Sequence, residues 1–426
     1  MNKNRSIIIG LDGVPFRLLR DLSDRGTMPH THRLISEGVF KKMQSSIPEV
    51  SAVAWSSIIT GCNPAEHGIF GFMDFALNTY RLSFPNFNSL QKLPFWSGIQ
   101  DKSIIINVPS TYPVKELNGI HISGFVSLNL ERSVYPNSLL SKLRELDYRL
   151  DVDSDKAHKS LDLFLADLDK TLKARIKIYR YLWNSQDWRM FMLVFTGTDR
   201  LMHFLWDAYE DKHHKYHREF LEHFRQIDEV IGEIANNIND DDNFIMLSDH
   251  GFERLEKDVY INHLLKEEGY LRLVDIPNPT WSNIDYSTRA FALDPARIYI
   301  NLKGKYPRGS VSLEDKEQIL KDLEYLFGCL KIDNKKVIRD IYRKEEIYSG
   351  AFLDRAPDLI LVGNCGFNLK ASIKTDKLVD KGIFTGKHTQ DDAFLLVRNR
   401  RLEETRIPEE PKVFNVVDIL RGGHHA

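Results

Sequence analysis

Short apolar runs that end in a polar or Gly-containing turn recur along the chain, at Ser6 to Asp12, Ser103 to Val108, Arg189 to Thr196 and Asn243 to Asp249. Continuous apolar runs of this kind read as buried parallel strands. Between them lie helical patterns: Ser51 to Thr60, Leu161 to Trp183 with apolar residues at three and four spacing, and His217 to Ile238. Strand and helix alternate, which predicts an α/β fold with a mostly parallel sheet covered by helices on both faces. From about Phe252 to Gly382 the texture changes to charged helices such as Leu313 to Phe327, turns such as Asp275-Ile-Pro-Asn-Pro, and isolated strands at Arg297 to Leu302 and Asp358 to Val362. This predicts an inserted cap at 252–382, dividing a core made of 1–251 and 383–426. Ala393 to Val397 then returns the chain to the core sheet.

The chain has 426 residues, 42% of them hydrophobic, which is ample for a large core. Its 58 Lys+Arg against 60 Asp+Glu give a net charge of −2, so no global basic field suits bulk nucleic acid. Cys62, Cys329 and Cys365 are widely spaced and form no CxxC pair, which suggests neither a disulfide framework nor a thiolate zinc site. The basic start precedes only a few apolar residues, so it reads as the first strand rather than a secretory leader. No run approaches the roughly 18 apolar residues of a membrane span. The expectation is a cytoplasmic protein acting on a small molecule.

In open parallel sheets ligands bind beyond the carboxyl ends of the strands. The first strand ends at Asp12, another is followed by Thr196-Gly-Thr-Asp199, and another ends in Ser248-Asp-His-Gly251. An Asp in such a place is often only an N-cap or turn former. Here His accompanies two of them: Asp199 and His203 are four apart on a helical pattern and share a face, and Asp249 and His250 are adjacent. Carboxylate and imidazole together suit Zn²⁺, Mn²⁺ or Fe²⁺. Two partial sets point to a binuclear site, with metals ~4 Å apart. His388, just before the last core strand, can complete one set, although alone it reads as a loop residue.

Ser51 opens the helical pattern that Gly61 ends, where unpaired N–H groups and the helix dipole favour an anion. That setting lowers the cost of a seryl alkoxide and aims donors at a phosphoryl oxygen. A lone Ser at a helix start is otherwise an N-cap. Ser56 and Ser57 fall a turn further in and read as structural.

With Gly10-Leu-Asp12-Gly, Pro48-Glu-Val-Ser51 through His67-Gly-Ile69, Gly197-Thr-Asp199 with His203, and Ser248-Asp-His-Gly251, the chain resembles the alkaline phosphatase superfamily. Within it, the type I phosphodiesterase/nucleotide pyrophosphatase group is the nearest likeness, especially its predicted phosphohydrolase and phosphomutase branch. The resemblance implies one metal on Asp12, Asp249, His250 and the Ser51 oxygen, and a second on Asp199, His203 and His388. It implies in-line attack by Ser51, giving a phosphoseryl intermediate that water hydrolyses from the opposite side.

Departures from the family pattern shape the expected activity. Phe72 stands where nucleotide pyrophosphatases carry an Asn, and no Arg stands beside Ser51 to clamp a dianion as in the phosphomonoesterase branch. Cys62-Asn-Pro-Ala-Glu lacks the Arg of a sulfatase motif and follows the nucleophile position too late. Gly382-Ile-Phe-Thr-Gly-Lys387 imitates a P-loop with the wrong glycine spacing. His213, His214 and His217 read as a solvated stretch, His67 as a packing residue, Lys387 and Arg200 as surface charges, and His424 and His425 as a tail. Trp55 and the aromatics of Phe70 to Phe75 suit either pocket lining or core. The reading is thus a binuclear metal hydrolase of phosphodiesters or pyrophosphates, with a phosphomonoesterase or phosphomutase as the alternative and an idle phosphoryl-binding protein as the alternative of another class.

Overall fold

The computed structural model describes residues 4–185, 187–399 and 407–422, so His424 and His425 lie outside the described residues. The chain divides into two compact units, one of 1–62, 86–252 and 383–426, the other of 63–85 and 253–382.

The first unit is built on an eight-stranded sheet. Its centre is Ser6–Leu11, flanked in parallel by Met190–Phe195 on one side and Asn243–Leu247 on the other. Ser103–Val108 and Gly119–Ser123 continue the parallel set beyond Met190–Phe195. Antiparallel strands close both edges: Ala393–Arg398 and Val39–Met43 beyond Asn243–Leu247, and the short Val134–Tyr135 beside Gly119–Ser123. The expected final strand therefore returns to the core sheet in the antiparallel sense.

Alternate side chains of each strand feed opposite faces, as the two-residue period of a strand demands. Ile7, Ile9, Phe191, Leu193, Phe244 and Met246 join a core beneath the Phe16–Asp24, Leu161–Trp183, Gly197–Glu210 and His217–Asn236 helices. Ile8, Met192, Val194, Ile245 and Leu247 pack instead with Trp55, Ile58 and Ile59 of the Ser51–Thr60 helix. Both sheet faces are thus covered, which is why the strands read as unbroken apolar runs.

Trp55 settles into the core. Its ring sits against Gly10, where a Cβ would come within 2.5 Å of the indole and 2.9 Å of Val194. The bare backbone at Gly10 thereby lets the helix that begins at Ser51 approach the central strand. The second unit has a four-stranded antiparallel sheet in the order Ala290–Leu293, Arg297–Ile300, Leu359–Gly363, Ile338–Arg343. The Leu313–Cys329 helix covers it through Ile319, Leu320, Leu323 and Phe327. No helix among the described residues is long and apolar enough to cross a membrane.

Two outcomes follow from this packing. Gly10→Ala is expected to overpack the Trp55 contact and lower the unfolding free energy by about 1–3 kcal/mol in urea melts. His121 is fully buried between the rings of Phe87 and Trp96, and burial pulls its imidazole down to about 4. An unfolded chain takes that proton near pH ~6.5, so it binds more protons than the folded state between there and about 4. The His121 contribution to stability should therefore fall as the pH drops through this window, and His121→Leu should reduce the slope there.

Candidate metal and nucleophile site

The register of the central strands sets the site. Gly10 pairs with Val194 on one side and Leu247 on the other, so Asp12, the Thr196-Gly197 turn and Ser248-Asp249 emerge side by side at the carboxyl edge. Gly13, at φ +72, turns the chain so that its N–H donates to Asp249 Oδ1 at 3.0 Å. Thr198 Oγ1 donates to the Asp12 carbonyl at 2.6 Å and locks the first turn of the Gly197–Glu210 helix to the first strand. That helix carries Asp199 and His203 on one face.

Ser51 is the first residue of its helix and makes no cap bond; Val50 is the N-cap. Its buried Oγ instead lies 3.4 Å from Asp12 Oδ1 and 3.2 Å from His250 Nε2. His250 Nε2 is also 3.4 Å from Asp249 Oδ2 and 3.8 Å from Asp12 Oδ1. On the other side, His388 Nε2 is 3.1 Å from Asp199 Oδ1 and 3.0 Å from His203 Nε2. The two groups meet where the His250 and His388 rings stack at 3.8 Å. Asp12, Ser51, Asp199, His203, Asp249, His250 and His388 are therefore one cluster. Ser56, by contrast, bonds back to the Ala52 carbonyl at 2.6 Å.

The donor chemistry fits divalent cations. Each imidazole directs Nδ1 at a backbone carbonyl: His203 at Gly386 (3.3 Å), His250 at Gly251 (3.1 Å) and His388 at Glu49 (2.9 Å). A carbonyl oxygen only accepts, so Nδ1 carries the hydrogen and a neutral ring leaves Nε2 bare. Bare Nε2 atoms and carboxylate oxygens then face one another, and Asp249 Oδ2 is fully buried with no hydrogen-bond partner among the described residues. Ligand atoms of Asp199, His203 and His388 lie within 4.8 Å of one another, as do those of Asp12, Asp199 and His250. Asp199 thus stands within reach of both groups.

Electrostatics report the same crowding. Burial first, then the charges of Asp249 and Asp199, push Asp12 well above the usual carboxylate range. Burial works against ionising Asp199 too, but His203, His388 and Arg200 outweigh it and hold that carboxyl low. Burial drives His203 down to about 3 and also lowers His250. His388 is raised, because the Asp199 hydrogen bond overcomes its burial.

Several contributors carry no sequence signal. Arg200, expected at the surface, is largely buried: it lies 3.2 Å from Asp199 Oδ2 and 3.0 Å from Asp151 Oδ2, over the Phe125 ring at 4.0 Å. Lys387 is also buried, at 5% exposure, and donates to the His388 carbonyl at 3.2 Å. The segment before His388 is stitched to the His203 helix. Thr385 N–H donates to the His203 carbonyl at 2.7 Å, and Thr385 Oγ1 accepts the Trp206 N–H at 2.7 Å where Leu205 leaves helical geometry. Gly386 approaches Met202 so closely that a Cβ would meet its carbonyl oxygen at 2.5 Å. His213 is exposed, and His217 Nδ1 is spent on the Ala208 carbonyl at 2.7 Å.

The fold and this cluster define an α/β protein with a carboxylate and imidazole site at the carboxyl edge of its central strands. The model of the type I phosphodiesterase / nucleotide pyrophosphatase family matches residues 6–391, and the chain belongs to that family. Among solved structures, phosphonoacetate hydrolase from Sinorhizobium meliloti 1021, in complex with phosphonoacetate, is similar with a TM-score of 0.67 at 16% identity, over 99% of this chain and 96% of that one. An inactive variant of murine ectonucleotide pyrophosphatase / phosphodiesterase 5, in complex with AMP, gives 0.57 at 14% identity over 98% and 94%. The human counterpart gives 0.58 at 12% identity over 98% and 93%. No curated protein sequence matches the chain.

Thr385→Val keeps the shape of the side chain but leaves the Trp206 N–H without its acceptor. It is expected to cost about 1–3 kcal/mol in urea unfolding.

Proposed function

We propose that the chain is a binuclear metal-dependent phosphoester hydrolase that cleaves a phosphodiester or pyrophosphate through Ser51. The observation that supports this most is the Ser51 hydroxyl: it begins a helix yet caps nothing, and sits between Asp12 and His250 inside the carboxylate and imidazole cluster. In this reading Asp12, Asp249, His250 and Ser51 hold one ion, and Asp199, His203 and His388 hold the other. The ions, when bound, supply positive charge for the phosphoryl oxygens and the leaving group.

The remaining steps belong to the chain itself. The N-terminus of the Ser51–Thr60 helix places the positive end of its dipole at Ser51, which favours loss of the hydroxyl proton and the approach of an anion. Asp12 and His250 fix the direction of Oγ. Oγ then forms a bond to phosphorus as the bond to the leaving oxygen breaks, and the resulting phosphoseryl ester is hydrolysed by water. Diesters are preferred because no Arg beside Ser51 clamps a second negative charge.

The test is metal-supplemented hydrolysis of bis-p-nitrophenyl phosphate against p-nitrophenyl phosphate, with Ser51→Ala purified alongside. A diester preference is expected, and Ser51→Ala should lower kcat on the order of 10³-fold or more. Full turnover by Ser51→Ala would remove the nucleophile assignment. A monoester preference would move the reading to phosphatase or mutase.

A further inference from the structure

The second unit gathers several cations around two buried acids. Asp358 is 2% exposed, and its Oδ2 accepts the Ile300 N–H at 2.9 Å. Two lysines share Oδ1: Lys316 Nζ at 2.7 Å and Lys344 Nζ at 3.7 Å. Lys344 is itself buried, at 7% exposure. A third ammonium, Lys305, donates to the Asp354 carbonyl at 2.9 Å and lies 6.0 and 5.7 Å from the ring centres of Tyr299 and Tyr306. Arg297 is fully buried and gives its hydrogens to the carbonyls of Asp294 and Met73 and to the Tyr299 hydroxyl.

The acid that its charge meets is Asp74, which is also within electrostatic reach of Lys305. Lys305, Lys316, Lys344 and Arg297 thus stand against Asp74 and Asp358, a local surplus of positive charge in which Lys344 and Arg297 are buried and Lys305 and Lys316 half-buried. Unbalanced charge in such a setting is costly, and a bound counter-charge removes the cost. The lysines feel one another: burial first, then Lys344 and Lys316 against the pull of Asp358, leave Lys305 below its ordinary range.

We propose that Lys316 and Lys344, paired on the Asp358 carboxylate, together with the neighbouring Lys305 form an oxyanion site in the second unit that takes a phosphate-type dianion. Three ammonium groups supply rotatable donors for a tetrahedral anion, and Asp358 holds two of them in place while neutralising only one charge. The anion is taken up as free inorganic phosphate.

Calorimetric titration of inorganic phosphate into the untreated 426-residue protein tests the site without using turnover. A binding component is expected that persists in His388→Ala and weakens at least tenfold in Lys305→Gln, whose thermal midpoint should match the wild type. Lys316→Gln is the second variant and should weaken it likewise. Wild-type phosphate binding in both lysine variants overturns the proposal. Failure of the phosphoester reading would remove turnover but leave the calorimetry unaffected.

Discussion

Asp12 and Asp249, at the carboxyl ends of adjacent parallel strands, are buried together with Asp199 of the Gly197–Glu210 helix, and their mutual repulsion is the constraint around which the first unit is organised. A lone buried carboxylate is expensive, and three in contact range are more so. The structure answers with partners fixed by backbone. Gly13 N–H takes one oxygen of Asp249, Arg200 takes one oxygen of Asp199, and the three imidazoles are turned by carbonyls so that Nε2 faces inward. What these partners leave over is a set of bare acceptors, which is the arrangement that divalent cations satisfy.

Holding that set together depends on close backbone approach. Gly10 admits Trp55 and so brings the Ser51 helix onto the central strand, while Gly386 admits the His388 segment onto the helix of His203. Thr385 closes the gap that the kink at Leu205 opens. Ser51 then falls beside Asp12 and His250 because of where its helix begins, with no cap bond of its own to divert it. Rigid support of this kind, rather than the ligands alone, is what keeps a charged cluster in working geometry.

Much of this was legible in the chain. The buried parallel strands announce themselves as apolar runs, and the Asp and His residues at their ends mark the site edge. The Ser51–Thr60 and Leu161–Trp183 helices fall where their patterns place them. The edge strand Val39–Met43 was not legible, because Lys41 and Lys42 break its apolar run on a half-exposed edge. Gly119–Ser123 is interrupted by His121, whose burial between aromatic rings no local pattern signals. Arg200 reads as a surface charge because its partner Asp151 lies far away along the chain. Residues 63–85 pack with the second unit although the motif around His67 follows the Ser51 helix without a break in texture. The charge surplus around Asp358 is likewise invisible in sequence, since it is assembled from separate elements.

Metal content tests the central claim most directly. Elemental analysis of the 426-residue protein, purified without chelator and dialysed, should find two divalent ions per chain, and His388→Ala should reduce this to one while the fold is retained. A folded wild-type protein that retains no divalent ion after loading with Zn²⁺ or Mn²⁺ would contradict the account, because the buried carboxylates would then have to be balanced by protons alone.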